Sequence, residues 1–258
     1  MQTVPVKTPH EIELMRESCR IVAEVLAVVG SRVAPGVPTK ELDDLAEEWI
    51  RSRGGEPAFK GYGSDRNNLF PASLCISVDD EVVHGIPDGR LLRDGQIVSI
   101  DVGVKKNGFF GDGARTFPVG TVSEEKLRLL TVTEEALIKG IEQAVAGNHL
   151  HDISAVVQGH VEKAGFSVVR DLVGHGIGRQ LHEEPPVPNF GTKGTGLTLK
   201  EGMVLAIEPM VNTGSYKVEE GEDGWTIRTA DRRPSAHFEH TVVVRRGGAE
   251  ILTQCTKK

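Results

Sequence analysis

The sequence predicts an α/β (α+β) fold of two related helix-helix-strand halves, on three observations. Several segments carry apolar residues at spacings of three and four, which is typical of amphipathic helices. Other segments alternate apolar with small or polar residues, which is typical of strands. Three short segments also recur in the same order further along the chain. We therefore expect helices and strands arranged in two similar units.

The helix and strand signals give nine main elements. A capping box with an early proline, Thr8-Pro9-His10-Glu11, predicts a first helix that runs to about Gly30. Further helices are predicted over 39–53, 123–147 and about 152–164. Strands are predicted over 73–78, 97–104, 111–119, 203–211 and 237–244.

The second half of the chain repeats features of the first. Residues 92–101 (LRDGQIVSID) match residues 199–208 (LKEGMVLAIE), and a helical segment after Gly36 matches one after Gly147. The tripeptide His-Gly-Ile at 84–86 recurs at 175–177. Chance is the alternative, because a strand after a charged turn is common. We interpret the pattern as a duplication, with pseudo-repeats of about 8–120 and 121–246 inside one domain that spans 1–258.

Composition excludes several classes of protein. The formal net charge of −7 argues against a large basic surface for nucleic acid or anionic lipid, although it leaves local contact with a ribosome open. Cys19, Cys75 and Cys255 have neither disulfide-framework nor zinc-site spacing, which fits a reducing compartment. The sequence has no signal-peptide pattern and no apolar run long enough to span a membrane. We expect a cytoplasmic protein.

Two carboxylates lie in strands that are otherwise apolar. Asp101 lies among small residues on one face of the strand over 97–104, and Glu208 holds the equivalent place in the repeated strand. A carboxylate buried in such a strand is costly unless it is paired or bound to a metal ion. Two of them at equivalent positions favour a metal site.

Asp112 extends the same argument. Residues 101 and 112 are symmetric about the turn sequence at 105–108, so a hairpin there would place the two aspartates on neighbouring strands, in direct opposition if the symmetry is exact. Opposed like charges destabilise a sheet unless a cation lies between them. The alternative is an ordinary salt bridge from one aspartate to Arg115 or Arg93.

Glu239 and His175 complete a candidate ligand set. Glu239 lies in the last strand with apolar residues on the opposite face; alone it would be interpreted as an exposed strand residue. His175 lies in a glycine-rich segment, GHGIG, and a lone histidine is usually a surface or core residue. Four carboxylates and one imidazole exceed the three protein ligands typical of a catalytic zinc ion and suit a two-metal site. Oxygen-rich ligation favours Mn, Fe or Co. The motifs HExxH, GxSxG and the P-loop, which would indicate other classes of enzyme, are absent. The candidate ligand set therefore predicts metal-assisted hydrolysis.

Six segments then resemble the signature segments of type I methionine aminopeptidases, in the same order: VVHGIP (82–87), SIDVGV (99–104), GDGART (111–116), GHGIGRQLHEEP (174–185), LAIEPM (205–210) and FEHTVVV (238–244). The resemblance extends from about Thr8 to Arg246. It implies the pita-bread fold, with two pseudo-twofold-related halves, a central antiparallel sheet and outer helices. It also implies co-translational removal of the initiator methionine, with a preference for a small second residue, by hydroxide activated at two metal ions.

The resemblance assigns roles residue by residue. The metal ligands would be Asp101, Asp112, His175, Glu208 and Glu239, holding two divalent ions of Co, Mn, Fe or Zn. Substrate contacts and catalysis would involve His84 and His182, with Glu208 as proton shuttle. The methionine pocket would be lined by Phe59, Tyr62, Phe70, Cys75, Leu181 and Trp225.

Partners and departures from the family pattern follow from the same comparison. The substrates would be N-termini of peptides and nascent chains, and we expect a monomer. Leu181 stands where some relatives have an aromatic residue, and the segment 63–69 is longer than in the shortest members. Two rival functions are a proline-directed peptidase of the same fold and a metal-free binding protein built on it.

Overall fold

Four helices were expected, and four are present in the computed structural model, which describes residues 4–254; Cys255 lies outside this range. The helices are Pro9–Gly30 (α1), Thr39–Ser52 (α2), Glu124–Ile141 (α3) and Leu150–Lys163 (α4). The capping box at the start of α1 is confirmed, because the Thr8 hydroxyl accepts the Glu11 N–H (3.3 Å) and the Glu11 carboxylate accepts the Thr8 N–H (2.9 Å).

Two helix boundaries differ from the prediction. Helix α3 ends at Ile141 instead of near residue 147, because Val145 forms a β-bridge with Arg245 and Gly147 turns the chain with a φ of 100°. Helix α4 begins at Leu150, since the Asp152 side chain accepts the backbone N–H of His149 at 2.8 Å.

The first half of the chain has three short strands, Glu56–Pro57 (β1), Cys75–Val78 (β2) and Glu81–Val83 (β3), and two long ones, Ile97–Lys106 (β4) and Phe109–Pro118 (β5). The second half supplies ten: Ser167–Val168 (β6), Gly174–Gly176 (β7), Glu183–Val187 (β8), Val204–Ile207 (β9), Met210–Asn212 (β10), Val218–Glu220 (β11), Ile227–Thr229 (β12), Ser235–His237 (β13), His240–Val243 (β14) and Glu250–Ile251 (β15).

These strands are antiparallel and divide among four hydrogen-bonded sheets. In the first sheet β4 pairs with β5 along one edge and with β2 and β1 along the other. The largest sheet has five strands in the order β15-β14-β9-β7-β8. Two three-stranded sheets, β13-β10-β6 and β11-β12-β3, complete the set. The predicted antiparallel pairing is present, but it is distributed over several sheets.

Two strands predicted as continuous are interrupted at a glutamate. The segment 203–211 divides into β9 and β10 at Glu208-Pro209, and the segment 237–244 divides into β13 and β14 at Phe238-Glu239. Proline has no N–H to give to a ladder, so Pro209 favours a break there. Each strand leaves one sheet and enters another at the break. The prediction that Glu208 and Glu239 lie within unbroken strands was therefore wrong.

A short antiparallel seam joins the two halves of the chain. The Glu239 N–H donates to the carbonyl of Ala114 (2.9 Å), and threonine hydroxyls bridge the positions on either side. The Thr241 hydroxyl donates to the Asp112 carbonyl (2.8 Å) and accepts the Asp112 N–H (3.1 Å). The Thr116 hydroxyl does the same for the backbone of His237, at 2.9 Å in both directions. The seam therefore lies between β5 and the residues around Glu239.

Hydrophobic residues form a separate core on each side of this seam. One core packs α1 and α2 against β2 and β4, and the other packs α3 and α4 against β9 and β14. The inner face of α2 is buried at Leu42, Ala46 and Ile50, whereas Leu45 and Trp49 are only partly buried. Within residues 4–254, none of the helices combines the length and apolar character that a membrane crossing needs.

Close packing of α1 on β5 depends on glycine. A Cβ added at Gly111 would lie 2.8 Å from the backbone nitrogen of Cys19 and 2.7 Å from its sulfur. Because neighbouring residues of a strand face opposite sides, this packing turns the Asp112 side chain away from α1.

We predict that Gly111→Ala destabilises the protein by about 1–3 kcal/mol, because the helix backbone must move to admit the methyl group. Thermal unfolding should show this as a lower midpoint, by roughly 2–4 °C per kcal/mol for a chain of this size. Gly159→Ala is the matched control, because a Cβ there meets nothing within 4 Å and the position lies inside α4. An equal midpoint for both variants would contradict the packing argument.

Candidate metal centre and substrate pocket

One cavity of about 130 Å³ brings together every residue that the sequence predicted for the site. Its lining consists of Phe59, Tyr62, Phe70, Cys75, His84, Asp101, Asp112, His175, Leu181, His182, Glu208, Trp225 and Glu239. A wider, open groove of about 870 Å³ shares His175 and His182 with it. The cavity is small beside the roughly 300–1,000 Å³ of typical drug-sized ligand pockets, so it suits a single side chain.

The two aspartates come from the hairpin of β4 and β5. Asn107 and Gly108 form a two-residue turn, each with positive φ, so Lys106 pairs with Phe109. In this register Asp101 pairs with Ala114, and Asp112 pairs with Gly103. The aspartates thus lie on one face as diagonal neighbours. The expectation of direct opposition was wrong by two residues in register, because the turn is centred at 107–108, one residue further along the chain than the symmetry of the two aspartates assumed.

The two glutamates are the pair that lies directly opposed. Ile207 pairs with His240 and Met210 pairs with His237, which leaves Glu208 across from Glu239 at the break in both strands. Like charges in this arrangement repel each other. The strand breaks free both side chains from a regular pleat, so they can turn into the cavity.

His175 lies among these carboxylates on β7. Its Nε2 is 3.5 Å from a Glu208 oxygen and 4.0 Å from an Asp112 oxygen. Its Nδ1 lies 2.9 Å from the carbonyl of Gly176, which can only accept a hydrogen bond, so the proton belongs on Nδ1 and the Nε2 lone pair faces the carboxylates. Asp112, His175 and Glu239 each offer a ligand atom within 4.8 Å of the others.

Burial sets the charge state of the cluster. Desolvation raises the pKa values of Asp101, Glu208 and Glu239 well above their usual range, and the neighbouring carboxylates raise them further. Desolvation also raises the pKa of Asp112 to about 7. The same burial lowers the pKa of His175 to about 3, which keeps its imidazole neutral.

The chemistry of this cluster fits divalent cations. One oxygen of Asp101 and one of Glu239 are buried without a hydrogen-bond partner among the described residues. The alternative salt bridge is not formed, because Arg115 lies 3.5 Å from Glu134, and within residues 4–254 no ion pair joins Arg93 to either aspartate. Unpaired buried carboxylates are costly in water-free surroundings, and a cation supplies the missing charge.

The other end of the cavity is aromatic and apolar. Phe70 packs edge-to-face against both Phe59 (ring centroids 6.5 Å apart) and Trp225 (5.3 Å). The Trp225 indole N–H donates to the carbonyl of Asn68 at 3.1 Å. The longer segment noted over 63–69 thus lies against the rim of the cavity. Cys75 joins the two ends, because it pairs with Asp101 across β2 and β4.

Two neutral histidines border the cluster. Desolvation lowers the pKa of His84 to about 4, and the backbone of His84 is left-handed, with a φ of 59°. The ring of His182 lies edge-to-face with that of His175, with centroids 4.3 Å apart, and burial lowers its pKa as well. The Nδ1 of His182 lies 2.6 Å from the Tyr62 hydroxyl.

Sequence reasoning missed one residue, His237. It is 1% exposed, neither ring nitrogen has a hydrogen-bond partner among the described residues, and Nε2 lies 3.7 Å from a Glu208 oxygen. Desolvation lowers its pKa to about 3. Strand alternation could have identified it, because His237 lies two residues before Glu239 and shares its face.

Comparison with known proteins shows the family of this chain. The model of metallopeptidase family M24 matches residues 13–246. A methionine aminopeptidase of Clostridium perfringens is 56% identical over 248 residues, which is 96% of this chain and 97% of the relative. Methionine aminopeptidase 1 of Bacillus subtilis is 50% identical over 96% of this chain and 98% of its own length.

Solved structures that share this fold differ in how similar their sequences are to this chain. A prolidase from Pyrococcus furiosus shares the fold, with a TM-score of 0.77 at 24% identity, and this chain covers only 66% of it. The crystal structure of a methionine aminopeptidase from Thermotoga maritima has a TM-score of 0.95 at 44% identity, over 98% of this chain and 100% of that chain. With matches of this extent and identity, the chain belongs to metallopeptidase family M24 and, within it, to the methionine aminopeptidases.

Proposed function

We propose that this protein removes the N-terminal methionine from peptides and nascent chains with a small second residue, by hydrolysis at two divalent metal ions. The observation that carries the proposal is the single cavity in which five ligand-type side chains border an aromatic pocket. The identity to methionine aminopeptidases over nearly the whole chain supports the same reaction.

Asp101, Asp112, His175, Glu208 and Glu239 would hold the metal ions. Bound there, the ions would supply Lewis acidity that lowers the pKa of water and polarises the peptide carbonyl. The predominance of oxygen ligands favours Mn, Fe or Co among the candidates, with Zn as the fourth.

Glu208 is the residue best placed to move a proton. One of its oxygens faces His175 at 3.5 Å, and the other faces His237 at 3.7 Å. A carboxylate in this position can accept a proton from the attacking water and return it to the leaving amine.

His182 is our candidate donor to the substrate carbonyl. The ring is neutral, and the Tyr62 hydroxyl can donate to its Nδ1, which places the ring proton on Nε2. A donor positioned in this way stabilises the negative charge that develops on the carbonyl oxygen. His84, in the first pseudo-repeat, would contact the nitrogen of the same peptide bond.

The apolar end of the cavity suits a methionine side chain. Phe59, Phe70 and Trp225 line this end, and Cys75 and Leu181 are buried beside them. A flexible, polarisable thioether packs well against aromatic rings and sulfur. This pocket therefore supports methionine as the residue that is released.

The proposal extends to the organisation of the chain. We regard 1–258 as one catalytic domain with pseudo-repeats of about 8–120 and 121–246, because the first supplies Asp101 and Asp112 and the second supplies the other candidate ligands. We further propose a cytoplasmic monomer, with the ribosome as a partner during synthesis of its substrates.

A substrate comparison tests the reaction. Protein treated with a chelator should lose activity and regain it with at least one of Mn, Fe, Co or Zn, releasing methionine from Met-Ala-Ser and nothing from Xaa-Pro dipeptides. Amino-acid analysis of the products measures this. Cleavage of Xaa-Pro alone would indicate a prolidase, and absence of both bound metal and hydrolysis would indicate a binding protein.

Metal binding should reverse an unusual pH dependence of stability. A carboxyl whose pKa is raised on folding stabilises the protein at low pH, and this contribution is lost as pH rises through the folded pKa, about 7 for Asp112. We expect the thermal unfolding midpoint of the metal-free protein to be lower at pH 8 than at pH 6. Added divalent ion should raise it more at pH 8 than at pH 6.

Asp112→Asn provides the internal comparison for that experiment. It removes one of the titrating groups, so the metal-free variant should lose less stability between the two pH values. A metal-free wild-type midpoint that stays constant or rises over this range would contradict the charge state deduced for the cluster.

We predict that Glu208→Gln lowers kcat on Met-Ala-Ser by roughly 10²–10⁴-fold, because the amide cannot carry a proton between water and amine. Metal content measured on the same preparation separates loss of chemistry from loss of the ions. Glu201→Gln is the matched control, since Glu201 is exposed and pairs with Arg246. Turnover close to wild type would remove Glu208 from the proposed role.

A further inference from the structure

A buried ion pair lies next to the candidate donor, outside the cavity itself. Lys7 is 8% exposed, and its ammonium nitrogen lies 2.5 Å from a carboxylate oxygen of Glu183. Lysine is almost never fully buried without a partner. Glu183 directly follows His182 in the chain, so the pair is attached to the segment that carries the proposed substrate donor.

The loop at 177–182 connects β7 to β8 and has no regular secondary structure. One oxygen of Glu183 receives the Lys7 ammonium, and the other accepts the backbone N–H of Gln180 at 3.1 Å. The backbone of Glu183 pairs with Gly176, at a register shift next to His175. Glu183 thus contacts the loop from the first position of β8, and it connects the segment that carries His175 and His182 to Lys7.

Lys7 itself is held in place from the other side. Its backbone N–H donates to the carbonyl of Gly202 at 2.8 Å. Its side chain then crosses Gly178, where an added Cβ would lie 2.2 Å from the Lys7 Cε. A second ion pair, Arg179 with Glu11 at 3.1 Å, attaches the same loop to the start of α1. The N-terminal segment therefore holds the loop at two points.

We propose that the Lys7–Glu183 pair is a positioning device that holds His182 in the orientation needed to donate to the substrate carbonyl. A buried ion pair is weak evidence for added stability, and its best-supported use is the selection of one arrangement over others. Here the arrangement selected is that of an irregular loop that carries a reactive group. Tyr62 holds the Nδ1 side of the same ring at 2.6 Å, so His182 is restrained by its backbone and by its ring. The inference rests on the role proposed for His182.

The test is a cycle of variants on Met-Ala-Ser with saturating metal. Lys7→Met should lower kcat/KM by roughly 10–100-fold in the otherwise unchanged protein, because a displacement of about 1 Å at a reacting group can cost that much. In the His182→Ala background the same change should cost less than about twofold. Lys7→Arg, which keeps the charge, should recover much of the loss. Arg246→Met, which removes an exposed ion pair, is the control and should change activity little.

A second readout does not depend on activity. The NMR resonances of the His182 ring should shift in Lys7→Met, while those of His151, which lies elsewhere on the surface, should not. If Lys7→Met fails to fold, Glu183→Gln is taken through the same cycle, because the amide oxygen still accepts a hydrogen bond. Equal losses in both backgrounds, or unchanged His182 resonances, would overturn the proposal. Failure of the wild-type protein to release methionine would refute the proposed function alone, since the NMR comparison remains valid.

Discussion

The backbone pairing of Ala114 with Glu239 is the contact on which the arrangement of the site depends. It places a strand of the first half beside a strand of the second, in one register, and the hydroxyls of Thr116 and Thr241 bridge the flanking positions. With this register Asp112 faces the same space as Glu239. A shift of one residue would turn one of them to the opposite side of its strand.

The resulting site is unfavourable for stability, because it collects carboxyl groups in the interior of the protein. Four carboxyl groups lie together, with Asp112 and Glu239 buried and Asp101 and Glu208 partly buried. The two glutamates face each other, and some of the carboxyl oxygens have no partner among the described residues. A protein tolerates such a cluster when the rest of the fold determines it and a cation offsets the repulsion. Each half has its own hydrophobic core, so the seam between them can carry the unfavourable charges.

The cavity has two chemically different ends. The aromatic end is formed by loops near residues 59–70 and by Trp225, whereas the charged end is formed by strands and by the breaks between strands. Structures with the same fold but low identity, such as the P. furiosus prolidase, show that the scaffold does not define the substrate. The loop that carries His182 adds a third part, whose position depends on contacts with the N-terminal segment.

The sequence by itself determined the local elements and the composition of the site. The Thr8 cap, the helical spacings and the strand alternation are local, and carboxylates in apolar strands are visible without any structure. Tertiary structure decided what depends on pairing between distant segments: the diagonal position of Asp101 and Asp112, the strand breaks at Glu208 and Glu239, the burial of His237 and the ion pair of Lys7. A register or a buried contact is set by a partner strand or loop far along the chain, and local spacing contains no information about that partner.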